Sequence, residues 1–156
     1  MGLILVQLNL WLMFFAGFHR PVLPQKADAM ASEILQYVNE DRKQLGLAVL
    51  EINAMESSLA AQHSLDMASG KVKFGHDGFN ARAKAIQKAL GSVEIGENVA
   101  EGPMTAREVV DGWLQSPGHK KNIEGNFTHT GIGYATGKKG NIYCASKLLY
   151  YASKLL

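Results

Sequence analysis

At 156 residues, with 47% apolar and 19% charged side chains, the chain has the composition of an ordinary globular protein and the length of one domain. A net charge of +2 and the lack of any Lys/Arg run give no ground for a nucleic-acid partner. A single cysteine, Cys144, excludes an intrachain disulfide framework and reads as a small apolar strand residue.

Leu3 to Phe18 is almost wholly apolar, broken only by Gln7, Asn9 and Gly17, which suits the apolar region of a signal peptide. No Lys or Arg precedes it, so an uncleaved anchor and a buried N-terminal helix stay open as alternatives; membrane contact is expected only through this segment. Ala27-Asp28-Ala29 has the form of a cleavage site, and Arg20-Pro21-Val22-Leu23-Pro24 reads as a linker. Residues 1–26 are therefore expected to be leader plus linker, with the folded domain over 27–149 and export as the destination, secreted or otherwise extracytoplasmic.

Ile34, Leu35, Val38 and Leu45 recur at helical spacing, with Gly46 as the stop. A second helix is predicted from Ala54 to Ser69, ended by Gly70, and a third over residues 80–90, closed by Gly91. Thr105 and Glu108 form a capping box that starts a fourth helix carrying Val109, Val110, Trp113 and Leu114 and stopping at Pro117-Gly118. After Phe127 the period changes. Gly131–Ala135 and Asn141–Ala145 read as two strands joined by Gly137-Lys138-Lys139-Gly140, an antiparallel hairpin. Helices first and strands last predict an α/β (α+β) fold, a sheet covered by helices on its faces.

Three short stretches carry chemistry: Gly75-His76-Asp77-Gly78, Gly96-Glu97-Asn98 and Ser116-Pro117-Gly118-His119. Each sets a functional side chain beside Gly or Pro, in loops or at helix ends where a scaffold can present it. His76, Glu97 and His119 supply the count and type of ligand that a catalytic zinc needs, with one position left for water. The same set could serve as general acid and base. No local His-Glu-x-x-His motif enforces metal geometry, so the fold must gather the groups.

The simpler readings of the neighbouring residues are these. His63 is a core-edge histidine, Glu108 belongs to the cap, and Asn98 bonds nearby backbone. Arg82 anchors the loop of His76 or contacts ligand, Trp113 anchors the core, and Asp111 and His129 lie on the surface. Ser64 and Ser116 lack the setting of an activated nucleophile.

The chain resembles the CAP superfamily of cysteine-rich secretory proteins, insect antigen 5 and plant pathogenesis-related class 1 proteins, and within it the short, disulfide-free bacterial branch. The residues that carry the resemblance include Val38-Asn39-x-x-Arg42, Gly75-His76-x-x-x-Phe79-x-x-Arg82, Gly96-Glu97-Asn98-Val99-Ala100, Trp113-x-x-Ser116-Pro117-Gly118-His119-x-x-Asn122-Ile123 and Phe127-Thr128-x-Thr130-Gly131-Ile132-Gly133, in order from 30 to 135. The resemblance implies a secreted three-layer α-β-α sandwich with a central, largely antiparallel sheet. It implies a cleft of two His and two Glu that in some members binds zinc or another divalent cation. His76, His119 and Glu97 match three of the four; Ser116 stands where the second Glu would be. Asn98, Arg82 and Ser116 are the expected supports of the cleft.

At the C-terminus Ala145-Ser146-Lys147-Leu148-Leu149 recurs as Ala152-Ser153-Lys154-Leu155-Leu156. Residues 142–149 suit the final strand, with Lys147 where relatives usually have Gln, and 150–156 form a repeated tail without an evident place in the fold. Three functions then compete: a binding module whose cleft holds a small molecule, lipid or cell-wall fragment; a zinc-assisted hydrolase acting on peptide or wall material; and a protein-interaction domain with a vestigial cleft.

Overall fold

The computed structural model describes residues 26–151 apart from residue 92; residues 1–25 of the expected leader and linker, and the second copy of the C-terminal repeat from residue 152, lie outside the described residues, while Lys26 opens the first helix. Five helices and four strands follow in the order α1 (Lys26–Gln44), β1 (Glu51–Ile52), α2 (Ala54–Ala68), α3 (Phe79–Leu90), β2 (Val93–Gly102), α4 (Ala106–Gln115), α5 (Pro117–Ile123), β3 (His129–Thr136) and β4 (Ile142–Tyr151). No helix among the described residues is long and apolar enough to cross a membrane.

The sheet order is β1-β3-β4-β2, with β1 parallel to β3 and the other pairs antiparallel. Helices cover both faces, as expected for the sandwich. On one face Ile34 and Val38 of α1 pack with Val109, Val110 and Trp113 of α4, Ile123 of α5, and Cys144 and Leu148 of the sheet. On the other, Ala60 and Met67 of α2 meet Val99 and Ala145, while Ile86 of α3 covers Val93. The approach of α2 depends on Gly131 and Gly133: a Cβ at either would lie 2.1 Å from the α2 backbone. Glycine is required there for close approach rather than for its dihedral freedom.

The predicted helix limits hold closely, and the Thr105–Glu108 capping box is formed in both directions. Three features differ from the sequence reading. Residues 93–102 form a long strand that the sequence did not suggest, because its alternation is broken by Gly96, Glu97 and Asn98. Pro117-Gly118 ends α4 but also begins α5, with Pro117 in the first turn where its missing N–H costs no hydrogen bond. The last strand continues two residues past 149, with Tyr150 and Tyr151 registered against Glu94 and Val93.

Arg42 locks the segment leading into β3. Fully buried, its guanidinium donates to the carbonyls of Ala48, Ile123, Gly125 and Phe127 at 2.6–3.0 Å. Five fixed donors suit such a multi-carbonyl clamp, and they fix the exit of α5, the helix that presents His119.

Candidate functional site: a cleft around the outer strand

The site is gathered around β2, an edge strand of the sheet. The loop after α2 carries His76, and its path is set by His63, whose buried ring bonds the Gly75 carbonyl through Nε2 at 2.8 Å. Gly75 and Gly78 sit at φ of 135° and 76°, in the region that favours glycine, and Gly78 leads directly into α3. One turn into α3, Arg82 donates from Nη1 back to the Asp77 carbonyl at 2.7 Å. From the opposite layer, His119 comes in on the first turn of α5. The Asn98 amide donates to the His119 carbonyl at 3.1 Å, and Asn122 donates to Asn98 Oδ1 at 2.8 Å. The two imidazoles end 6.5 Å apart between ring centres, tilted by 55°.

Glu97 lies beside His76 and is almost wholly buried. Arg82 grips both of its oxygens, Nη2 at 2.8 and 2.9 Å and Nε at 3.1 Å from Oε2. His76 Nδ1 meets Oε1 at 3.0 Å. From beneath, the ammonium of Lys147 donates to Oε2. Burial alone would raise the Glu97 carboxyl; the Arg82 hydrogen bonds and the charge and hydrogen bond of Lys147 outweigh it and bring the pKa to about 2. Burial pulls Lys147 below its ordinary value, with the Glu97 charge opposing. His63 and His119 are likewise lowered, first by burial, so both rings favour the neutral form at neutral pH.

A second carboxylate, Glu56, stands behind this cluster. It has no exposed surface and no hydrogen-bond partner, and burial raises it to about 8 against the opposing charge of Lys147.

Of the residues expected at the site, His76, Glu97, His119, Arg82 and Asn98 do come together. Ser116 sits at the α4–α5 junction, where its N–H donates to the Trp113 carbonyl and its own carbonyl accepts from Lys120; it starts the helix that carries His119. Arg82 both anchors the His76 loop and grips Glu97. His63, read as a core-edge residue, holds that loop from behind. Lys147 carried no signal of a site role, because its partner lies 50 residues away in sequence and only strand pairing brings them together.

The fit of a divalent ion can be judged from the donors. A ligating carboxylate must offer a lone pair, and both Glu97 oxygens already accept from Arg82, with His76 and Lys147 adding a further bond each. Two fixed cations also stand beside that carboxylate. Among the described residues no group of three or more His, Cys, Asp or Glu side chains is placed to hold a metal ion. As the side chains stand, His76, Glu97 and His119 do not make a three-donor zinc set. What is open is a cleft of ≈ 260 Å³ lined by His76, Phe79, Ile95, Gly96, Glu97 and Asn122.

The profile of the Cysteine-rich secretory protein family, CAP, matches residues 35–148, which includes every one of these positions. The chain belongs to this family. The uncharacterized protein YkwD of Bacillus subtilis is 35% identical over 124 residues, covering 77% of this chain and 47% of its own length. The uncharacterized membrane protein YlbC of the same species is 32% identical over 105 residues, covering 65% of this chain and 30% of its own length. The chain thus spans half or less of the curated relatives it matches. Among solved structures, an extracellular protein containing an SCP domain from Bacillus anthracis superposes with a TM-score of 0.68 at 24% identity, over 85% of this chain and 45% of that one. An outer surface protein of Borrelia burgdorferi gives 0.66 at 21% identity, over 81% of this chain and 95% of that one. These likenesses show the CAP fold.

Proposed function

We propose that this CAP domain is an extracytoplasmic ligand-binding module, in which the β2 cleft holds a small polar fragment of cell-wall material, a sugar or a peptide, without catalysing its breakdown. One observation carries the reading: Glu97 is fully engaged by Arg82 and Lys147. A carboxylate with a pKa of about 2 and both oxygens bonded is a poor proton acceptor at neutral pH, and it offers no free lone pair to a metal. The groups left to meet a ligand are the half-exposed ring of His76, the ring of His119 and the apolar wall of Phe79 and Ile95. A few polar groups on an apolar wall suit recognition of a neutral polar molecule. Placement outside the cytoplasm is supported by the apolar stretch Leu3–Phe18 and by solved CAP structures described as extracellular and as an outer surface protein.

The test is NMR titration of the isotope-labelled full chain with soluble N-acetylglucosamine oligomers and, separately, with a cell-wall stem peptide. Saturable shifts of the His76, His119 and Asn122 signals, without appearance of cleaved product, support a binding module. Product formation that disappears in Glu97→Gln would establish the hydrolase instead. Unchanged cleft signals with both probes would contradict the wall-fragment reading.

A further inference from the structure

A lysine at the centre of a sheet is costly to bury unless its charge is met. Lys147 occupies such a place. It lies on β4 with Glu97 opposite on β2 and Gly131 opposite on β3, and its side chain is 1% exposed. Its neighbours in sequence, Ser146 and Leu148, serve the other face of the strand, where Ser146 bonds Thr130 and Leu148 joins the α1–α4 core. Nothing about packing calls for an amine here. What the amine does is donate to Glu97 Oε2 from beneath, while Arg82 closes the same carboxylate from the α3 side.

Counting charges around Glu97 makes the consequence plain. Arg82 and Lys147 supply two positive charges against the one carboxylate, and Glu56, the other acid near Lys147, is held in its protonated form through neutral pH. A divalent ion bound between His76, Glu97 and His119 would have to displace one of these cations from a Glu97 oxygen. It would then stand beside both of them at a carboxylate that is itself 1% exposed. The imidazoles alone, one of them half exposed, offer two donors where a tetrahedral site uses three or four protein ligands.

We propose that the Lys147 ammonium is the resident cation of this cleft: it fills the place on Glu97 that a divalent ion would need, so that the wild-type site works without metal, and a neutral residue at 147 would open a latent divalent-metal site on His76, Glu97 and His119. The inference rests on the reading of the cleft as a ligand site with Glu97 in a structural role. Its readout is zinc and not the wall fragment, so the two can fail separately. Lys147 thereby sets the specificity of the site by the charge it contributes, from a position that touches no ligand.

The experiment is calorimetric titration of ZnCl2 at neutral pH into the full chain and into three variants: His76→Ala/His119→Ala, Lys147→Gln and Lys147→Gln/His119→Ala. Circular dichroism and thermal melting report that each is folded. The expected result is that wild type and His76→Ala/His119→Ala give the same zinc heats. Lys147→Gln gains one site per chain, at least tenfold tighter than any wild-type binding, and Lys147→Gln/His119→Ala loses it. Zinc binding by wild type that is lost in His76→Ala/His119→Ala would overturn the proposal, as would a folded Lys147→Gln with no gain. Should Lys147→Gln fail to fold, the comparison of wild type with His76→Ala/His119→Ala still decides whether the native cleft takes a metal.

Discussion

Lys147 and Glu97 are cross-strand partners, directly opposite one another on β4 and β2, and their charged ends meet in the interior of the protein. Residues opposite in an antiparallel pair lie on the same face, so this single register fixes the charge of the cleft. It also explains why the carboxylate that most resembles a catalytic group is the one least free to act.

Removing one partner of a buried pair leaves the other charge uncompensated. Lys147→Met is expected to cost about 3 kcal/mol, at the lower end of the range for such losses because Arg82 still holds Glu97. Equilibrium urea unfolding measures it directly. A loss below about 0.5 kcal/mol would place the pair among interactions of surface strength.

The acid limb of stability should belong to Glu97. Its pKa is lowered from 4.5 to about 2 on folding, so its contribution is complete above pH 4.5 and is lost as pH falls toward 2. The gap corresponds to roughly 3 kcal/mol. Unfolding free energies between pH 2 and 6 should show this slope in wild type and a flatter one in Glu97→Gln.

Glu56 has the opposite sign. Raised from 4.5 to about 8, it binds a proton more tightly in the folded chain, so stability is favoured below pH 4.5 and declines as pH rises toward 8. Glu56→Gln, a neutral stand-in for the protonated acid, is expected to gain about 2–4 kcal/mol at pH 8 and almost nothing at pH 4.5. Thermal melts across that interval check it.

Gly131→Ala and Gly133→Ala drive a methyl group into the α2 backbone at 2.1 Å, where no flexible side chain can yield. Each is expected to cost at least about 3 kcal/mol, more than ordinary overpacking of a core. Far-ultraviolet circular dichroism and melting temperature would register the loss.

His63→Ala removes the bond to the Gly75 carbonyl and leaves the loop of His76 tied mainly through Arg82. Amide exchange over residues 70–78 should speed up by roughly tenfold, the worth of one buried hydrogen bond. The α2 amides should keep their protection.

The parts of the fold legible in the sequence are those written in local signals. Thr105 and Glu108 announced a helix start, Gly46, Gly70 and Gly91 announced stops, and the hairpin was set by its glycine-rich turn. β2 was not legible, because Gly96, Glu97 and Asn98 replace the apolar alternation at the point where the strand serves the cleft. α5 was hidden by Pro117, which ends one helix and begins the next. At the site, His76, Glu97 and His119 stood out by residue type and loop context and do converge. Their chemistry depended on Lys147, and no local pattern tells a strand lysine facing water from one facing a carboxylate 50 positions away. Tyr150 and Tyr151, read as the start of a tail, extend the last strand by backbone pairing with β2.

The most direct measurement is the titration of the Glu97 carboxyl itself, followed by carbon-13 NMR of the full chain between pH 2 and 8, with Glu97→Gln to assign the signal. The expected curve shows an ionised carboxylate throughout the range above pH 4, with a midpoint near 2. A midpoint at or above the ordinary 4.5 would mean that Arg82 and Lys147 do not hold the group, and that Glu97 is free to move protons or bind a metal after all.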